Sequence, residues 1–114
     1  MKTTILAISM GLSALFSAAS FASFHCDVSL NRILVYKDGK VNVWHSGRGD
    51  YTNICNLKTE NNGVSIATCA MWTSMLQSIK KDNGKAIFYY AGDGSCATLP
   101  TYSSSPTPEY IGAI

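Results

Sequence analysis

The sequence predicts a β-rich α+β domain, either a small OB-like barrel or an open antiparallel sheet, with one amphipathic helix. Three observations lead there. Short apolar segments are separated by Gly- and Asn-containing turns. A single stretch, Met71 to Ile79, repeats its apolar residues at helical spacing. All four cysteines, Cys26, Cys55, Cys69 and Cys96, fall after the first 22 residues.

The chain opens on Lys2 and an apolar run from Ile5 to Phe16, and then reaches Ser20-Phe21-Ala22. A basic start, a short apolar core and a small-x-small ending form the pattern that a signal peptidase reads. Residues 1–22 are therefore expected to be a signal peptide, with cleavage after Ala19 as the alternative, and residues 23–114 a single domain. The run is too short to span a bilayer. The residues before Cys26 are Ser23-Phe24-His25, which do not match a lipoprotein signal. The expected product is secreted or periplasmic and not inserted in a membrane.

Val28 to Tyr36 reads as a strand, Lys37 to Lys40 as a turn around Gly39, and Val41 to His45 as the returning strand of a hairpin. Ser46 to Asp50 is a Gly-rich loop and Tyr51 to Leu57 a third strand. Asn61-Asn62-Gly63 forms a turn before Val64-Ser65-Ile66, whose alternation suits a short half-buried strand. Met71, Trp72, Met75, Leu76 and Ile79 then share one helical face. Thr68 is placed to cap the helix, and Lys80-Lys81 with Asn83-Gly84 to end it. Ala86 to Tyr90 is a strand and Cys96 to Tyr102 a last extended piece. The tail that follows carries no core pattern and is expected to be extended.

Chemistry-bearing residues are few. Without Lys2 the nine Lys and Arg become eight against seven Asp and Glu, so the net charge is close to +1 with no basic block. That argues against nucleic acid or an anionic membrane as the main partner. No HExxH or GxSxG is present, and the only histidines are His25 and His45. His45, at a strand end, is expected at the surface. The reading is of a non-enzyme with no cofactor and no metal site. Cys55 and Cys69 lack CxxC spacing, and an exported chain favours disulfides. The short polar loop between them points to Cys55–Cys69, which leaves Cys26–Cys96 by elimination. Arg48-Gly49-Asp50 spells an integrin-type tripeptide, a motif frequent by chance.

The aromatics Tyr36, Trp44, Tyr51, Tyr89, Tyr90, Tyr102 and Tyr110 carry more weight, because rings at strand ends can stack on sugars. Arg48 can pair bidentately with a carboxylate, and Tyr51 can stack on or hydrogen-bond to a ring.

The Cys55–Cys69 stretch, the Trp72 helix and Gly84-Lys85-Ala86-Ile87-Phe88-Tyr89-Tyr90 together resemble the receptor-binding B subunits of pertussis-like and subtilase-type AB5 toxins. The resemblance covers residues 55–90. It implies an exported, disulfide-stapled OB fold that assembles into a ring and binds sialylated glycans. It also implies a glycan-contacting serine on the first strand, which corresponds to Ser29. The family is longer and holds its second cysteine pair near the C-terminus, unlike Cys26 and Cys96 here. The expected function is a glycan- or protein-binding module, with a homo-oligomer among its expected partners. The alternative is a monomeric structural or inhibitor domain without sugar binding.

Overall fold

The computed structural model describes residues 22–114. The signal peptide expected over residues 1–22 lies, but for Ala22, outside them. Five strands form one antiparallel sheet in the order β3-β2-β1-β4-β5. They are β1 (Ser23–Val35), β2 (Lys40–His45), β3 (Tyr51–Asn56), β4 (Lys85–Ala91) and β5 (Tyr110–Ala113), with helix α1 (Ile66–Lys81) between β3 and β4. This is the β-rich α+β architecture with one helix that the sequence predicts, in its open-sheet form.

β1 organises the sheet. Its first half pairs with β4 and its second half with β2, and the register shifts between Leu30 and Arg32. A bulge there turns the strand and changes which residues face outward. Before it, Cys26 and Val28 point into the core while His25, Asp27 and Ser29 are exposed. The β1–β2 turn follows the sequence closely. Gly39 takes φ +93° and donates its N–H to the Tyr36 carbonyl at 2.9 Å.

The core is built from inward positions of the strands (Val28, Val41, Val43, Ile54, Phe88, Tyr90) and one helix face. Trp72, Leu76 and Ile79 supply that face, joined by Cys69 and Thr73. Thr73 satisfies its hydroxyl by donating to the Cys69 carbonyl at 2.8 Å, so a polar residue is accommodated inside. Met71 does not belong to the stripe and is 71% exposed. The disulfides are Cys26–Cys96 and Cys55–Cys69, with Cα separations of 5.7 and 5.5 Å.

Further expectations need correction. Val64 to Ile66 is not a strand. Val64 makes one bridge to Asn61, and Ile66 already starts the helix. The cap is Ser65 rather than Thr68, its hydroxyl accepting the Thr68 N–H at 3.1 Å. Neither Cys96 to Tyr102 nor the tail after it is merely extended. Cys96–Thr98 is a turn of 3-10 helix, Pro108 and Ile111 are buried, and Tyr110–Ala113 adds β5 to the β4 edge. Tyr102 makes a single parallel bridge with Thr52, its N–H donating to the Tyr51 carbonyl at 3.1 Å. The C-terminal segment thus touches both sheet edges, and among the described residues no continuous ladder closes the sheet.

Two disulfides fit an oxidising compartment. Among the described residues no helix is long and apolar enough to cross a membrane.

Candidate binding face on β1, β2 and β3

The cross-strand register aligns Arg32, Trp44 and Tyr51 in one row over three strands. Along β2 the inward residues are Val41, Val43 and His45, so Asn42 and Trp44 project from the opposite side. The Arg32 guanidinium carbon lies 6.0 Å from the Trp44 ring centroid. Tyr51 packs edge-on against Trp44 with centroids 5.1 Å apart, and Tyr102 follows at 5.9 Å from Tyr51. Arg32 Nη1 donates to the Tyr51 hydroxyl at 3.5 Å, a long bond that raises the guanidinium's pKa above its usual value. Tyr102 is 47% exposed, and its phenol is raised too, first by partial burial and then by Asp50, Tyr36 and Tyr51.

Two amides continue the face. Asn53 Nδ2 donates to Asn42 Oδ1 at 3.1 Å, and the Asn53 N–H donates to Ser105 Oγ at 2.9 Å. Tyr36, Lys40, Asn42, Asn53, Tyr102 and Ser103 line a cleft of about 170 Å³ beside the row. The face therefore offers ring surfaces, the half-buried Asn53 amide and a cation, while Asn42 is buried beneath it and holds Asn53 in place. Groups of these kinds can hold a polar ring.

The sequence-predicted site residues surround the β2–β3 loop. Ser29 is exposed on β1, and its N–H donates to Ser46 Oγ at 2.9 Å at the start of that loop. Arg48 sits within the loop, half-buried, with Nε donating to the Leu99 carbonyl at 2.7 Å. Tyr51 begins β3 and is only 9% exposed, held between Trp44 and Tyr102. The loop fastens Ser29 at its base, and Tyr51 belongs to the aromatic row.

His45 is not a surface residue. It is fully buried, with its ring centroid 5.0 Å from that of Phe88. Nδ1 accepts the Gly47 N–H at 3.1 Å, and burial lowers its pKa to about 4. A buried neutral imidazole has no access to substrate. Among the described residues no group of three or more His, Cys, Asp or Glu could hold a metal ion. Arg32, Asn42 and Asn53 were not anticipated. The period-two pattern of β2 could have found Asn42, but the bulge before Arg32 leaves no signal in composition.

No family model, curated protein or solved structure matches the chain. The likeness to toxin B subunits rests on the residues quoted for it in the sequence.

Proposed function

We propose that this chain is an exported, non-enzymatic binding module that holds a glycan on the outer face of β1, β2 and β3. The observation that carries the reading is the row Arg32–Trp44–Tyr51, extended by Tyr102 and flanked by the Asn53 amide. Aromatic faces, planar amides and one guanidinium are the groups a sugar with a carboxylate engages. Export is supported by the apolar run Ile5–Phe16, by Ser20-Phe21-Ala22 and by the disulfides. Ser29 and Arg48 form the neighbouring part of the surface, across the β2–β3 loop. One shallow sugar contact is weak, so useful affinity requires several copies of the chain in one assembly.

The test is a panel of immobilised glycans, sialylated and neutral, probed with the disulfide-intact protein. Trp44→Ala and Arg32→Ala should each lower the signal roughly tenfold, about what an exposed stacking or charged contact contributes, with the fold retained by circular dichroism. Ser29→Ala and Arg48→Ala report whether the loop side belongs to the same site. A folded protein that is monomeric by light scattering and binds no glycan on the panel would replace this reading with that of a structural or inhibitor domain.

A further inference from the structure

On the other side of Arg32 lies a groove of about 410 Å³ between β1 and the last turns of α1. Asn31, Arg32, Gln77, Lys80 and Lys81 line it, with Ile33 and Leu34 as its apolar part. Three of these carry positive charge, two are amides, and no acidic side chain is among them. The nearest carboxylate in sequence, Asp82, lines a different groove together with Lys85. Lysines in a last helical turn complement the helix dipole, which is reason enough for Lys80 and Lys81 taken alone. It does not account for Arg32, which arrives from β1 through the bulge and is shared with the aromatic row.

We infer that this groove is an anion subsite, and that the glycan held by the module carries sulfate esters which bind at Lys80 and Lys81, beside Arg32. The nature of the polymer rests on the glycan reading above; the sign of the charge rests on the groove alone. A sulfate presents several acceptor oxygens around one centre. Lysine ammoniums, as rotatable point charges, meet it from several directions, whereas a planar carboxylate favours an arginine fork. The groove supplies such lysines, while Arg32 stays with the row, beside Trp44 and the Tyr51 hydroxyl. The groove is also wider than a single anion needs, and it adjoins the aromatic row at Arg32. A sulfated sugar chain can therefore stack one ring on the row and seat its charges in the groove.

The experiment measures binding of dextran sulfate, a polyuronate and neutral dextran to the full disulfide-bonded chain by titration calorimetry. Dextran sulfate should bind more tightly than the polyuronate, and dextran weakest. The double variant Lys80→Gln/Lys81→Gln should weaken dextran sulfate roughly tenfold, as loss of two charge-assisted contacts does. Lys37→Gln, which removes a charge from the β1–β2 turn, should leave the affinity nearly unchanged. A loss per charge removed that is as large in Lys37→Gln as in the double variant would reduce the effect to net charge and overturn the subsite. Unaltered binding by the double variant would overturn it as well. Anionic phospholipid vesicles bound more tightly than dextran sulfate, with the same lysine dependence, would replace the sulfated glycan by a membrane. Trp44→Ala separates the two proposals. If it leaves the glycan panel unchanged, the aromatic reading fails, while the lysine variants still decide the groove.

Discussion

His45 shows how one residue links alternation, burial and pH. On β2 it stands two places after Val43 and four after Val41, so period two assigns it to the core side. Its position at a strand end suggests the surface, but alternation prevails. The folded state holds the imidazole neutral, with burial as the main cause and a pKa of about 4. The unfolded chain takes up a proton near pH 6.5 and the folded one does not. Stability from this group is therefore complete above about pH 6.5 and declines as pH falls toward about 4, by at most on the order of 3 kcal/mol. Urea unfolding at a series of pH values should show that decline, and His45→Gln should flatten it. Identical slopes in the two proteins would assign the acid sensitivity to other groups. Protonation also removes the acceptor for the Gly47 N–H, so the first part to loosen is the loop that carries Arg48.

The helix was the most legible element, because its signal is local. Five apolar positions at helical spacing and an Asn-Gly stop are present in the sequence. The structure ends the helix accordingly, with Asn83 at φ +53° and the Gly84 N–H donating to the Ile79 carbonyl at 2.9 Å. Membership of the buried stripe was less secure, since Met71 and Trp72 are adjacent and only one can centre on the core. Leu76 is fully buried, so Leu76→Ala should cost about 2–5 kcal/mol. Met71→Ala, at an exposed position, should stay within about 0.5 kcal/mol. Thermal or urea unfolding that ranked the two in the opposite order would mean that the helix is rotated about its axis. β5 was not legible for a matching reason. Tyr110-Ile111-Gly112-Ala113 is short and contains glycine, and it becomes a strand only through its ladder with β4. The candidate face divides in the same way. Trp44 and Tyr51 could be read as aromatics at strand ends, while Arg32 joins them only because a bulge resets β1.

At the scale of the whole molecule, the C-terminal segment completes the candidate face, and one disulfide anchors that segment. Cys26 on β1 is bonded to Cys96 across 70 positions of sequence, whereas Cys55 and Cys69 are 14 apart. In the chain-entropy model the longer loop contributes about 4 kcal/mol and the shorter about 3 kcal/mol. Global stability should therefore separate the two cross-links only slightly. Local protection should separate them clearly. After Cys96 the chain passes through Leu99, whose carbonyl holds Arg48, to Tyr102 and Ser105, which bond to β3 at Tyr51 and Asn53. Cys26→Ala/Cys96→Ala releases the start of this segment. The Tyr102 and Asn53 amides should then exchange faster with solvent, and glycan binding on the row should fall with them. Cys55→Ala/Cys69→Ala acts at the junction of β3 and α1, and should speed exchange in the first turns of the helix while sparing Tyr102. The measurement is hydrogen exchange on both double variants at a temperature where each remains folded. If Tyr102 loses protection equally in the two, the segment is held by its contacts with β3 and not by the Cys26–Cys96 anchor.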